Sequence, residues 1–421
     1  MTFSPGFLSP QVRERIEAEY RSRRPHSRDM FARSQRSFPG GETRSVTHYE
    51  PFPTVIDHGA GSHLFDVDGI EYIDLVNNYT SLIHGNAYPP IAEAISAAAV
   101  TGTVFPSMHL SQLRLAEEII ARVPAVDMVR LTNSGSEAAA LALRIARRAT
   151  GRRVLVTVSG GYHGAVPPFT EGEPKTRTLP FGDSAALSDM LDDHVAAVFM
   201  EPFLGAGGVI PQDPGYLRAA QEAAHRVGAL FVVDEVQSLR NSPHGEAARL
   251  SLDPDLVLMA KIIGGGLPIG AVGGRRELLE LTAATRPEHL EHAGTFNGHV
   301  ATAAAGLVSL QHLTTAAISE LNAHAQHLAE HIEAAGADRG FPLVVTRSGS
   351  ILNVHPGDAP VTSPADAHRF PPERAALHLA LLLEGIYTTP RGMINLSTAL
   401  SEDDLSAVYR GYDRACERLA S

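Results

Sequence analysis

The rhythm of hydrophobic and polar residues changes along the chain. After a polar arm that reads as helical, TVIDHGAGSHLFDVDGIEYIDLV (54–76) alternates apolar and polar positions, with Gly and Asp at the turns. This pattern predicts two or three antiparallel strands. From about residue 87 the pattern is different. Helical segments such as LRLAEEIIARV (113–123) and AAALALRIARRA (138–149) alternate with short apolar runs: RRVLVTV (152–158), VAAVFME (195–201), ALFVVDEV (229–236) and PDLVLMAK (254–261). Unbroken apolar strands separated by helices predict a mostly parallel sheet covered on both faces.

Past residue 300 come an Ala-rich helix, VATAAAGLVSLQHL (300–313), and a second helix. Strand candidates LVVTRSGSILNVH (343–355) and INLS (394–397) then flank the helix ERAALHLALLLEG (373–385). The expected fold is α/β. It has an N-terminal arm and first strands over 1–65, counted with the small domain, a large domain over 66–300, and a smaller α+β domain over 301–421. HPGDAPVTSPADAHRFPPE (355–373) reads as a mobile surface loop.

Composition narrows the function. A length of 421 residues with 44% hydrophobic content fits two or three packed domains. A net charge of −12 without lysine runs argues against nucleic-acid or anionic-membrane partners, which need clustered cations. The one basic cluster, YRSRRPHSR (20–28), reads as a solvated helix end. A single cysteine, Cys416, suits a reducing compartment. The N-terminal residues lack a signal-peptide core, and no apolar stretch reaches the roughly 20 residues of a membrane span. A cytoplasmic location is expected.

Of the 35 basic residues 33 are arginines, and Lys261 and Lys175 are the two lysines. Arginine stays charged at working pH, whereas a desolvated lysine becomes a neutral nucleophile; the plainer alternative is a solvated loop charge. In parallel sheets ligands sit beyond the carboxyl ends of the strands. Asp234 ends one apolar run and Lys261 another. They could form a simple buried salt bridge. They are also the amine and the ring-nitrogen carboxylate that pyridoxal 5'-phosphate (PLP) requires.

Other strand ends add to this. Gly135 and Ser136 open a helix whose backbone N–H groups and hydroxyl suit an anion, while Ser134 and Glu137 predict a capping box. Tyr162 and His163 follow RRVLVTV, where an aromatic ring can stack on a planar cofactor or simply fill a glycine-rich turn. Glu201 ends VAAVFME, and Gln237 lies three residues past Asp234. His324, His327 and His331 share a helical face at a spacing that zinc accepts, but no Cys or acid cluster accompanies them and no metal is expected. KIIGGG fails as a P-loop because its lysine precedes the glycines.

The segments NSGSEA, GYHG, EP, DEVQ, AKIIGGGLPIGA and GTFNG, in that order, resemble those of the class III aminotransferases. These are PLP enzymes of the aspartate-aminotransferase fold, and the likeness runs from about residue 30 to the end. It implies that Lys261 forms the Schiff base and shuttles the proton, that Asp234 pairs with the pyridine nitrogen, and that Tyr162 stacks on the ring. Gly135 and Ser136 would take the phosphate and Gln237 the ring oxygen, with His163 and Glu201 also in the cofactor site. Thr295 of GTFNG would reach the phosphate across the interface of a homodimer.

Within the class, FPGGETRSVTHYEPFPTVI (38–56) and EGIYTTPRGMINLS (384–397) resemble the β-phenylalanine (aromatic β-amino acid) aminotransferases more than the glutamate-1-semialdehyde aminomutases. The likeness implies that Arg44 and Arg391 bind substrate carboxylates, which a planar guanidinium grips through two parallel bonds. Ala206 stands where the ornithine and 4-aminobutyrate enzymes carry a gating glutamate, which disfavours ω-amine substrates. The expected reaction moves an amino group from a β-amino acid to a 2-oxo acid such as 2-oxoglutarate or pyruvate. The alternatives are a 2,1-aminomutase and a non-catalytic PLP-binding regulator. The latter needs a DNA-binding module, for which the N-terminal arm is too short.

Overall fold

The computed structural model describes residues 6–170 and 173–421. The chain packs into two units, one built from residues up to Tyr88 with Glu320–Ser421, the other from Pro89–Ser319.

The second unit is organised by a seven-stranded sheet. Its order is Met128–Thr132, Gly270–Gly274, Leu256–Ala260, Leu230–Asp234, Val195–Met200, Val154–Val158 and Thr176–Leu179. Pairs from Leu256–Ala260 to Thr176–Leu179 are parallel, and Gly270–Gly274 runs antiparallel to both its neighbours. Successive side chains point to opposite faces of a strand, and here both faces are covered. Val198, Met200, Phe231 and Val233 pack with Tyr216, Leu217 and Ala220 of the helix Pro214–Arg226. Ala197, Phe199, Val232 and Leu258 pack with Leu141, Ala142 and Ile145 of the helix Gly135–Thr150. This two-sided burial explains why the central strands read as unbroken apolar runs.

The first unit holds two smaller sheets. Ile56–Ala60, His63–Asp66 and Glu71–Asp74 form an antiparallel meander, and Ile386–Tyr387 adds in parallel to its last strand. Leu343–Ser348, Ile351–Pro356 and Met393–Asn395 form an antiparallel sheet. The helix Pro371–Leu383 packs against Pro10–Arg23 and Glu402–Ala420. Its first residues fall within 355–373, so that segment is only partly loop.

These units explain why the expected boundaries at 65/66 and 300/301 differ from the observed ones. The strand Glu71–Asp74 belongs with the C-terminal residues because it pairs with Ile386–Tyr387. The helix Val300–His312 belongs with the large sheet because it packs on Pro89–Thr101, on Leu110–Arg122 and on the turn after Lys261.

The arginine-rich stretch is not wholly a solvated helix end. Arg24 is 1% exposed, its guanidinium lies 4.3 Å from the Tyr20 ring centre, and it donates to Tyr72 Oη and Leu382 O. Stacking and hydrogen bonding let a planar cation be buried where an ammonium would suffer more. Among the described residues no helix is long and apolar enough to cross a membrane.

Candidate active site

Leu230–Asp234 and Leu256–Ala260 run parallel with Asp234 beside Leu258, so the chain leaves both strands at one edge of the sheet. Asp234 is buried there. Its Oδ1 accepts the Val236 N–H at 3.0 Å, and its Oδ2 lies 2.8 Å from His163 Nδ1. A carboxylate only accepts, so His163 carries the proton on Nδ1. Phe169 and Phe199 close edge-on around the imidazole. Burial alone would lower the His163 pKa, but the hydrogen bond and charge of Asp234, with the charge of Glu201, raise it above the ordinary value.

Glu201 follows the next strand, Val195–Met200, and is buried. Its carboxylate accepts the N–H of Tyr162 at 2.9 Å and of Gly205 at 3.2 Å. Burial pushes the carboxyl up to about 7, with the His163 charge opposing, Asp234 adding to the rise, and the two N–H groups opposing. Glu201 therefore fixes the backbone from which Tyr162 projects. The Tyr162 side chain itself is open, with the residue 53% exposed.

Lys261 is the first residue beyond Leu256–Ala260 and sits at φ +54°. A left-handed backbone at a non-glycine residue costs roughly 1–2 kcal/mol, and such strain gathers at functional sites. The tight turn Lys261–Gly264 is pressed onto the helix Val300–His312, where a Cβ on Gly306 would overlap Ile263 O. Gly265 of KIIGGG serves the same close packing, since a Cβ there would come within 2.6 Å of Ala305 O.

The N-terminus of Gly135–Thr150 meets the same two strand exits. A Cβ on Gly135 would stand 3.4 Å from Val236 Cγ2 and 3.5 Å from Ala260 Cβ. Ser136 abuts Gly164, where a Cβ would come within 2.5 Å of its Oγ. Ser134 Oγ caps the helix by accepting the Glu137 N–H, but Glu137 reaches back to the Asn133 N–H instead of to Ser134. Only half of the expected capping box forms. Gln237 lies against Gly205, and its buried Oε1 has no partner among the described residues.

Thr295 is exposed. Its loop is tied down by Asn133 Nδ2 to Asn297 Oδ1 at 2.8 Å and Gln112 Nε2 to Gly298 O at 2.6 Å.

Arg44 and Arg391, 347 positions apart in sequence, come together in the other unit. Their guanidinium carbons lie 5.7 Å and 5.6 Å from the Tyr79 ring centre, within cation–π range. Arg44 also donates to Asn78 Oδ1 at 2.9 Å, and Tyr79 Oη donates to Val46 O at 2.8 Å. Tyr79 lies in none of the motifs; the asparagine pair before it, tolerant of left-handed backbone, is its local signal. His324 faces Glu402, and His331 faces Tyr409 O and Asp413, on the helix Thr315–Asp338. Among the described residues no group of three or more metal-ligating side chains assembles.

The donor set is that of a PLP enzyme. A buried carboxylate is locked by a histidine, a lysine leaves the adjacent strand, a glycine-opened helix N-terminus lies against both exits, and an amide oxygen waits unpartnered. Known proteins agree. The class III aminotransferase family model matches residues 45–168 and 176–403. A β-phenylalanine transaminase from Variovorax paradoxus is 38% identical over 392 residues, covering 90% of each chain. A glutamate-1-semialdehyde 2,1-aminomutase from Anaeromyxobacter sp. (strain K) is 35% identical over 410 residues, 90% of this chain and 95% of its own. The solved structure of a β-phenylalanine aminotransferase from Variovorax paradoxus superposes with a TM-score of 0.91 at 36% identity, covering 96% of both chains. The chain belongs to the class III aminotransferases, enzymes whose cofactor is PLP.

Proposed function

We propose that this aminotransferase moves the amino group of a β-amino acid, aromatic or related, to a 2-oxo acid such as 2-oxoglutarate or pyruvate. PLP, when bound, supplies an aldehyde that condenses with amines and a protonated ring that accepts the electron pair of a broken C–H bond. The protein's side chains do the rest. Lys261 holds the cofactor and carries a proton to and from the substrate carbon. Asp234 keeps the ring nitrogen protonated, and His163 keeps Asp234 in place. Tyr162 packs on the ring from the backbone that Glu201 anchors, Gly135 and Ser136 take the phosphate, and Gln237 meets the ring oxygen.

Arg44 and Arg391 bind substrate carboxylates, with Tyr79 held against both. The protein works as a homodimer, in which Thr295 reaches the partner's phosphate site. This is supported by exposed apolar side chains on its loop, Phe296, and on the segment hydrogen-bonded to that loop, Val104, Phe105, Met108, Leu110 and Leu113. A cytoplasmic location suits Cys416, which is buried with its thiol pushed up to about 12 by that burial.

The observation that carries the assignment is the buried His163–Asp234 pair one strand from Lys261. To test it, purified enzyme is incubated with α-, β- and ω-amino donors against 2-oxoglutarate and pyruvate, and nitrogen exchange is followed. A β-amino donor should exchange fastest, and Lys261→Ala should abolish exchange; undiminished turnover by that variant refutes the role of Lys261. The similarity to aminomutases favours a second reading, a 2,1-aminomutase, which the same assay reveals as isomerisation without a second keto acid.

A further inference from the structure

Asn77, Asn78, Tyr79 and Thr80 all have positive φ, at 46°, 46°, 55° and 76°. Left-handed backbone costs L-residues roughly 1–2 kcal/mol each, and even asparagine visits it mostly as single residues. A run of four that ends on a β-branched threonine needs something to hold it. One buried carboxylate anchors the start of the run. Asp74 Oδ1 accepts the N–H groups of Val76 at 2.8 Å and Asn77 at 2.9 Å, and its Oδ2 accepts Asn86 Nδ2 at 3.0 Å. Asn395 closes the other side: its Nδ2 donates to Val76 O, and its own carbonyl accepts Asn77 Nδ2, both at 2.8 Å.

The product of this strained turn is the placement of a single ring, Tyr79. The ring touches both Arg44 and Arg391, and Tyr79, Asp74, Asn78 and Arg44 line one cavity of about 200 Å³.

We propose that Asp74 is a positioning residue for carboxylate recognition: it pins the left-handed turn Asn77–Thr80, which holds the Tyr79 ring against Arg44 and Arg391 together and so fixes the separation of the two guanidinium groups. This rests on the reading of Arg44 and Arg391 as carboxylate binders. A fixed separation matters only to a ligand that engages both arginines. A dicarboxylate senses it, and a monocarboxylate, gripped by one arginine, does not.

The experiment is calorimetric binding of two unreactive probes, glutarate and propionate, to the holoenzyme. Asp74→Ala should weaken glutarate about tenfold or more, as expected for one misdirected charge-assisted contact, and change propionate by less than about threefold. Asp74→Asn should recover most of the loss, because its amide oxygen still accepts both N–H groups while Asn86 can turn its own oxygen to the new NH₂. Tyr79→Leu, which removes the ring, should reproduce the Asp74→Ala pattern.

Should Asp74→Ala not fold, Asn77→Ala tests the same turn by deleting the side-chain bridge to Asn395. Equal weakening of both probes, or no change in either, overturns the proposal. Arg44→Ala and Arg391→Ala separate the two levels. If they too leave glutarate binding intact, the carboxylate reading itself fails; if they weaken it while the Asp74 and Tyr79 variants do not, only the positioning role fails.

Discussion

Burial sets the charge state of Glu201. Its carboxyl, pushed up to about 7 by burial, titrates in the folded chain well above the ordinary 4.5. A raised acid stabilises the fold while protonated, so its contribution is complete below about 4.5 and is lost as pH rises toward 7. His163 works in the same direction, because a raised imidazole also stabilises at low pH and loses that effect as pH rises through its folded value. The cofactor-free protein should therefore lose stability between about pH 4.5 and 7, by about 1.4 kcal/mol for each tenfold difference in proton affinity. Glu201→Gln should make that profile shallower, leaving the share that Glu235, also buried and pushed up to about 7, contributes, as read from guanidinium midpoints across the range. A Gln variant whose midpoints run parallel to the parent's would show that Glu201 is not the group responsible.

At the scale of elements, a helix and a turn are fitted together with no room to spare. Gly306 lies inside the helix Val300–His312, where Ala is ordinarily more stabilising than Gly by about 1 kcal/mol. Here the added methyl would overlap the carbonyl of Ile263, a backbone atom that cannot rotate away. Overpacking typically costs about 1–3 kcal/mol, so Gly306→Ala should lower the thermal midpoint and loosen the Lys261 turn, seen as faster loss of bound cofactor on dilution. A raised midpoint would mean that the turn yields.

The same elements show what the sequence made legible. Strands buried on both faces, such as Val195–Met200 and Leu230–Asp234, are continuous apolar runs, and the residues that follow them, Glu201, Asp234 and Lys261, could be picked out by position alone. Gly270–Gly274 could not, because glycines carry no side-chain pattern, and neither could Thr176–Leu179, a polar strand at the sheet edge. The turn that presents Tyr79 depends on Asn395, 318 residues beyond Asn77, so the local asparagine pair does not specify it by itself. Arg24 was hidden for a related reason. Composition marks an arginine-rich stretch but does not say which guanidinium the tyrosines enclose.

For the whole molecule, the decisive question is assembly. Met108 is 73% exposed, Phe296 58% and Leu110 52%, on segments joined by Gln112 to Gly298 O and by the Val300 N–H to Thr103 O. Large apolar side chains exposed together on joined segments mark a surface suited to a partner. Thr295, exposed, precedes Phe296 in a loop that Asn297 ties to Asn133, two residues before the helix that opens at Gly135. If a second copy covers this face, an aspartate there buries an unpaired charge in an apolar contact. Met108→Asp and Phe296→Asp should each shift the protein from dimer to monomer in sedimentation equilibrium at micromolar concentration. Activity should fall with the dimer fraction, because in the proposed homodimer each phosphate site would lose the hydroxyl of Thr295 from the other copy. Thr295→Ala separates the two effects, since it should leave the dimer intact and weaken cofactor retention about tenfold, the order expected for one lost hydrogen bond to a charged group. A Met108→Asp protein that stays dimeric, or a Thr295→Ala protein that holds PLP as tightly as the parent, would place the interface elsewhere on the chain.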